Sequence, residues 1–121
     1  MQTARTETDT IHTSDDGRYT IRVVKRQRTK PMPEGARYVG RPTALGSRFK
    51  PKDRSDEERA NIIAAFTEEF SDEGSWPPKR VDRVAELLTE LRENGELTMA
   101  CWCAPKACHA DVISEYLLTR A

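Results

Sequence analysis

The sequence lacks the long apolar runs and the paired cysteines that would place it in a membrane or outside the cell. No stretch reaches the roughly 20 apolar residues that a membrane-spanning helix requires. The first 17 residues also lack the apolar centre of a secretory signal. The three cysteines are an odd number confined to residues 101–108, which excludes the evenly paired disulfide framework of a small secreted domain. We therefore expect a cytoplasmic protein that does not enter a membrane.

Familiar catalytic patterns are absent as well. The sequence has no Gly-rich nucleotide-binding loop, no pair of catalytic carboxylates and no Ser-His-Asp set. At 121 residues the chain is long enough for one hydrophobic core and too short for two. Residues 1–17 are polar and have no hydrophobic period, which predicts a flexible tail without chemistry and with at most a short strand near Ile11. The remaining residues, 18–121, should form a single domain.

The charges sum to zero but are unevenly distributed along the chain. Residues 18–54 contain twelve Lys and Arg against two acidic residues, whereas residues 55–96 contain twelve acidic residues against five basic ones. Arg-rich loops on small domains are typical of phosphate or nucleic-acid contacts, because the planar guanidinium matches a phosphate group. The alternative is that the two halves attract each other and the remaining charges are solvated. The charge pattern leaves both readings open.

The hydrophobic pattern predicts six elements in the order strand, strand, helix, helix, strand, helix. Ser55 and Glu58 form a capping box at the start of the first helix, and Asn94-Gly95 ends the second. This order predicts an α/β fold with a small, mainly parallel sheet and about three helices, Rossmann-like, in two or three layers with at least one crossover. The predicted elements span residues 19–24, 37–40, 55–70, 79–93, 97–102 and from 108 onward.

The segment CWCAPKACH at residues 101–109 carries the chemistry that the sequence suggests. It leaves a predicted strand and enters a predicted helix, which is where α/β proteins commonly bind ligands. The helix dipole favours a thiolate there, and Lys106 or His109 would lower the pKa of a cysteine further. Cys108 and His109 are therefore the candidate catalytic pair. Asp111 would orient His109 or interact with the helix dipole.

The same segment admits three other interpretations. Zinc is one, since three sulfurs and an imidazole are a known ligand set, although structural sites usually take two separated pairs of ligands. A second is a phosphate loop of the cysteine type, although His109 stands where that loop has an Arg and Pro105 removes one amide. A third is core packing, above all for Cys101. The zinc ligands would be Cys101, Cys103, Cys108 and His109.

Two blocks, YVGRPTALGSRF at residues 38–49 and LTMACWCAPKACHADVI at residues 97–113, resemble the signature blocks of a bacterial and bacteriophage family known as domain of unknown function 4326. The usual Gly-Asn-Pro-Phe of the family reads GSRF at residues 46–49. The resemblance implies a phage or bacterial setting and no particular reaction. The matching positions are Tyr38, Gly40, Arg41, Pro42, Leu45, Gly46, Phe49, Cys101, Trp102, Cys103, Pro105, Cys108, His109 and Asp111.

We therefore expect the two blocks to form one pocket for a nucleotide-like or phosphate-bearing ligand, in nucleotide or DNA metabolism. Arg41 would bind the phosphate, Trp102 or Phe49 would stack on a base, and Lys106 and Arg48 would add positive charge. The complete ligand-binding set is Tyr38, Gly40, Arg41, Pro42, Arg48, Phe49, Trp102, Cys103 and Lys106.

The alternative is a non-catalytic interaction module, with or without zinc, that docks on nucleic acid or on a host defence protein. The sequence decides neither whether the protein is an enzyme nor its oligomeric state.

Overall fold

A computed structural model describes residues 1–104 and 106–121 of the chain. Over these residues the protein is a small α/β domain with three α-helices and a five-stranded mixed sheet. None of the helices in this described part is long and apolar enough to cross a membrane. The elements are β1 (Gln2–Arg5), β2 (Asp9–Thr13), β3 (Thr20–Lys25), β4 (Arg37–Tyr38), α1 (Asp56–Ser71), a 3₁₀ turn (Glu73–Ser75), α2 (Pro78–Asn94), β5 (Glu96–Cys101) and α3 (His109–Arg120).

The strand order in the sheet is β1-β2-β3-β5-β4. The pairs β1–β2 and β2–β3 are antiparallel, whereas β5 pairs in parallel with both β3 and β4. The prediction of a mainly parallel sheet is therefore wrong, because the N-terminal segment adds two antiparallel pairs. The mixed sheet does not confirm a Rossmann-like arrangement. The parallel part does contain the predicted crossover, which carries β4, α1 and α2 between β3 and β5.

The segment predicted as a flexible tail, residues 1–17, contains β1 and β2. Its inward-facing residues are polar: Thr10 and His12 are each 1% exposed. His12 Nδ1 lies 3.0 Å from Thr3 Oγ1, so the buried ring has a hydrogen-bond partner in the neighbouring strand. Polar residues that are buried in hydrogen bonds leave no hydrophobic period, which is why the sequence pattern allowed at most one short strand near Ile11, where β2 lies, and did not predict β1.

The core lies on one face of the sheet, between the sheet and all three helices. Alternate residues of the central strands, Ile21 and Val23 with Leu97 and Met99, are buried against it, because side chains alternate along a strand. Arg22, on the opposite face, is exposed. The fold therefore has two layers. The helices contribute the buried residues Phe66, Phe70, Val84, Leu87, Leu91, Ile113 and Leu117.

The helix ends follow the sequence signals within one or two residues. Ser55 caps α1 by accepting a hydrogen bond from the Glu58 amide at 3.1 Å. The Glu58 carboxylate does not close the predicted capping box; it accepts from the Lys52 amide at 2.6 Å and so attaches the preceding loop to the helix. Gly95 ends α2 with φ of 76°, a conformation that favours glycine.

Candidate functional site

The candidate site is a cavity of about 460 Å³ at the carboxyl ends of the parallel strands. These ends lie at one edge of the sheet, so the loop after β4 and the loop after β5 meet there. We call this space the strand-end cavity. Its lining residues are Tyr38, Gly40, Arg41, Ser47, Phe49, Pro51, Asp53, Arg54, Ser55, Arg59, Ile62, Ile63, Trp102, Cys103, Ala107, Cys108 and His109.

The loop after β4 holds Arg41 at the cavity through two consecutive turns. The Thr43 amide donates to the Gly40 carbonyl at 2.9 Å, and the Gly46 amide donates to the Thr43 carbonyl at 3.0 Å. A Cβ at Gly46 would lie 2.7 Å from the Arg41 backbone nitrogen. The backbone at residue 46 therefore packs so close to the backbone at residue 41 that only glycine fits there without a shift of the loop. The Arg41-Pro42 peptide bond is cis. The backbone at Arg41 is thus set by the loop itself.

A buried arginine of α2, Arg80, stabilises the loop after β4 by a hydrogen bond to its backbone. Arg80 is 7% exposed, and its Nε donates to the Ala44 carbonyl at 3.0 Å. Glu69 lies 3.5 Å from the Arg80 guanidinium and also pairs with Arg48, whose guanidinium stacks on Phe49 at 4.4 Å. Arg48 is therefore paired with a carboxylate and lies outside the cavity lining, although Phe49 is part of it.

Three arginines face the cavity without a carboxylate partner. Within residues 1–104 and 106–121, neither Arg41, Arg54 nor Arg59 forms an ion pair with an Asp or Glu. The Asp53 carboxylate in the cavity wall accepts from the Ser55 hydroxyl and amide, and these bonds lower its pKa. The Arg59 Nε is buried, with no hydrogen-bond partner in the described chain. Arg59 Nη1 does reach the Ala107 carbonyl at 3.5 Å. The cavity thus has three cations without a carboxylate partner in the described chain, and one buried donor, Arg59 Nε, without an acceptor there.

The three cysteines come together beneath the cavity. The Sγ atoms of Cys101 and Cys108 lie 3.2 Å apart, and both residues are buried. A hydrogen bond from Cys108, supported by the charge of Arg59, lowers the pKa of Cys103 to about 6. The bonds to Cys101 and Cys103, together with burial, raise the pKa of Cys108 above its ordinary value. The hydrogen bond to Cys108 also lowers the pKa of buried Cys101. The charged form is therefore favoured on Cys101 and on the half-buried Cys103 and disfavoured on Cys108.

His109 connects the start of α3 to the end of β4. Its Nε2 donates to the Val39 carbonyl at 2.8 Å, and its ring meets the edge of Phe66 at 5.3 Å. Burial lowers the pKa of His109, so the imidazole is neutral at pH 7. Among the residues that the structure describes, no group of three or more His, Cys, Asp or Glu side chains is arranged to hold a metal ion. The zinc set of Cys101, Cys103, Cys108 and His109 is therefore not assembled.

Asp111 is bound by the N-terminal hairpin rather than by His109. Its Oδ1 accepts from His12 Nε2 at 2.8 Å, and its Oδ2 accepts from the Cys108 amide at 3.1 Å and from Arg5 at 3.4 Å. Burial raises the pKa of Asp111, but these hydrogen bonds and charges lower it by more. Asp111 thus stabilises the first turn of α3 and holds the Cys108 backbone against the sheet.

Two predicted aromatic residues form the rim of the cavity. The Trp102 indole, 44% exposed, donates to the Tyr38 hydroxyl at 3.0 Å. The Arg26 guanidinium lies over both rings, 4.4 Å from the Tyr38 centroid and 5.3 Å from that of Trp102. The other two predicted positions lie outside the lining: Pro42 is exposed, and Lys106, also exposed, donates its amide to the Cys103 carbonyl. Pro105 lies outside the described residues.

Several site residues were not predicted from the sequence, chiefly Arg54, Arg59, Arg80 and His12. A signal for Arg59 was available: it lies three and four residues before the apolar pair at 62–63, so it occupies the inward face of an amphipathic helix. A cation on such a face requires a polar partner or a cavity. Arg80 carries the same signal, because it lies four residues before Val84 on the buried stripe of α2, whereas Arg54 and His12 carry no comparable one.

Fold and site define an α/β protein with a cationic, thiol-bearing cavity at the carboxyl edge of a mixed sheet. The chain belongs to the family described as Domain of unknown function (DUF4326), whose model matches residues 23–119. The match begins within β3, so β1, β2 and His12 precede it. No curated protein and no solved structure matches the chain.

Proposed function

We propose that the strand-end cavity binds a small molecule that carries a phosphate or similar anion and a flat ring, as a nucleotide does. The observation that carries this proposal is the buried Arg59 Nε, which has no acceptor among the described residues, beside Arg41 and Arg54, which have no carboxylate partner among them. A buried donor without an acceptor costs about 1–3 kcal/mol. An anionic oxygen in the cavity would accept from it, and the guanidinium geometry suits phosphate.

The cavity walls support the second half of the proposal. Phe49 lies in the wall, while Tyr38 and Trp102 stand at the rim, so aromatic faces border the same space as the arginines. A purine or pyrimidine ring gains about 1–3 kcal/mol from stacking on such a face. A volume of about 460 Å³ also falls within the usual range of small-molecule sites.

The proposal concerns binding, and it includes the setting that the resemblance implied: a bacterial or bacteriophage protein of nucleotide or DNA metabolism in the cytoplasm. The assignment of Cys108, His109 and Asp111 as a catalytic set remains a prediction. Support for it is weakened by three features: the thiol of Cys108 is protonated, the imidazole of His109 is neutral, and the carboxylate of Asp111 is bound to His12.

Isothermal titration calorimetry with AMP, GMP, CMP, UMP and inorganic phosphate tests the binding site. We expect at least one nucleotide to bind the wild type and Arg41→Gln to weaken it by about tenfold to a hundredfold, because one charge-assisted hydrogen bond contributes about 1.5–3 kcal/mol. Arg41 is exposed and unpaired, so the variant should keep the wild-type melting temperature. Equal affinity of Arg41→Gln and wild type for every probe would refute the assignment.

A second candidate function, the docking of single-stranded nucleic acid, is favoured by one specific observation. The Arg26 guanidinium lies over the rings of Tyr38 and Trp102. The residues that follow Arg26 in the chain include two exposed basic ones, Arg28 and Lys30. Exposed aromatic faces beside basic residues are typical of surfaces that bind single strands. Here the cavity would accept the end of a strand rather than a free nucleotide.

Fluorescence anisotropy with a labelled oligothymidylate separates the two candidates. A phosphate-tracking surface must lose affinity steeply as salt rises, and Trp102→Ala should weaken binding by about tenfold through the loss of one stacked base. Mononucleotide binding with no oligonucleotide binding would leave the first candidate and reject the second.

A further inference from the structure

The three thiols form one connected cluster with Cys108 at its centre. Cys108 Sγ lies 3.2 Å from Cys101 Sγ, and Cys108 also forms a side-chain hydrogen bond with Cys103, which lines the same cavity. All three cysteines are free. Sulfur atoms in van der Waals contact can form a disulfide with only small movements of their side chains.

The three thiols differ in access. Cys101 and Cys108 are 0% and 4% exposed, whereas Cys103 is half-buried and lines the strand-end cavity. A small oxidant that enters the cavity therefore reaches Cys103 first. The Arg59 guanidinium beside Cys103 favours negative charge on that sulfur, and the thiolate is the form that oxidants attack.

We propose that Cys103 is a site of oxidation by hydrogen peroxide, which Cys108 resolves as a disulfide. In the first step the Cys103 thiolate attacks one peroxide oxygen: the S–O bond forms, the O–O bond breaks, and hydroxide leaves and takes a proton to become water. In the second step the Cys108 sulfur attacks the Cys103 sulfur. The S–S bond forms, the S–O bond breaks, and the displaced hydroxide leaves as water with the Cys108 proton.

The two cysteine sulfurs together lose two electrons, and the peroxide gains them. The chemistry requires no ligand, so it goes beyond the proposed function and does not depend on it. Its consequence is that oxidation removes the thiolate from the cavity wall.

Intact mass spectrometry after treatment with hydrogen peroxide tests this site. The reduced wild type has three free thiols, and we expect oxidation to leave one and to lower the mass by two hydrogens. Cys108→Ser should instead retain a sulfenic acid at Cys103, which dimedone traps. Serine is a preferred residue at a helix N-cap, the position that Cys108 occupies, so this variant should fold.

Two further variants complete the experiment. Cys101→Ser is the matched control: it should still lose two thiols, and peptide mapping should place the disulfide between Cys103 and Cys108. Cys103→Ser should react far more slowly than the wild type. The proposal is wrong if Cys103→Ser forms a disulfide as fast as the wild type, if dimedone labels another cysteine, or if folded wild type keeps all three thiols. Circular dichroism confirms that each variant is folded.

Discussion

Two surfaces of this protein carry arginines, and they differ in what neutralises the charge. The strand-end cavity has Arg41, Arg54 and Arg59, which form no ion pair with a carboxylate in the part of the chain that the structure describes. A larger groove of about 810 Å³ runs along α2, where the guanidinium of Arg37 lies 2.7 Å from a Glu90 oxygen. The remaining charged residues of the groove are Asp82, Arg83, Glu86 and Glu93, with Arg83 and Glu86 paired at 2.9 Å.

The comparison shows that neither the number of arginines nor the size of a cavity identifies a binding site. In the groove, Glu90 accepts from Arg37 and raises the pKa of that guanidinium, so the charge is already compensated within the protein. In the cavity, compensation must come from Cys103 and from a ligand. The arginine donor without an acceptor in the described chain therefore indicates the strand-end cavity as the candidate binding site, although the groove along α2 is larger.

The largest expected effect comes from removing cations at each surface in matched pairs. Arg41→Gln/Arg54→Gln should weaken binding of the best mononucleotide probe by about a hundredfold or more, because two charge-assisted hydrogen bonds are lost. Arg37→Gln/Arg83→Gln should change the affinity by less than about twofold, since those guanidinium groups are already paired. Calorimetric titration measures both. Equal losses in the two double variants would show that only the overall charge matters.

The second expected effect is on the free energy of unfolding, and it compares Asp111, in the first turn of α3, with Glu86 in the groove. Asp111→Ala removes the acceptor of the Cys108 amide and leaves buried His12 without that partner, which should cost about 2 to 4 kcal/mol. Glu86→Ala removes an exposed ion pair and should leave the urea midpoint unchanged. A wild-type midpoint for Asp111→Ala would show that the N-terminal hairpin is held by other contacts.

The pH dependence of stability should follow from the same carboxylate. The pKa of Asp111 is lower in the folded protein than its ordinary value, so the folded state binds the proton less well than the unfolded state. The stabilisation is therefore complete above pH of about 4 to 5 and is lost as the pH falls through the folded pKa. Urea midpoints of the wild type and Asp111→Asn should converge as the pH is lowered from 6 toward about 3. A constant difference over that range would contradict this assignment.

A smaller effect is expected on the reactivity of Cys103 toward iodoacetamide. The wild-type rate should rise with pH to a plateau with a midpoint near pH 6, set by the bond from Cys108 and the charge of Arg59 against burial and Asp111. Arg59→Gln should shift the midpoint upward and slow alkylation at pH 7 by up to about tenfold. Arg83→Gln, the smallest change of all, should leave the profile unaltered. A midpoint near pH 8.5 in the wild type would show that Cys103 is an ordinary thiol.

Local sequence is enough to predict β3, β5, the three helices, the Ser55 cap of α1, the Gly95 stop of α2 and the two blocks that line the site. Each rests on contacts between residues close in the chain, such as Ser55 with Glu58 or the apolar stripe of α2. The meeting of the two loops could also be expected, because parallel strands end at the same edge of a sheet.

The tertiary structure is needed to establish which thiols favour the charged form, which cavity arginines lack a carboxylate partner within the described residues, and what Asp111 binds. These properties depend on groups far apart in sequence, as in the pairing of His12 with Asp111 across 99 positions or of Arg59 with Cys103. The sequence pattern favoured Cys108 as the reactive thiol and a chemically inert tail over residues 1–17. The reactive role of Cys108 stays a prediction, although its hydrogen bonds to Cys101 and Cys103, together with burial, raise its pKa. A hydrogen-bonded polar interior accounts for β1 and β2, because local charge and hydrophobic period do not report the surroundings that folding supplies.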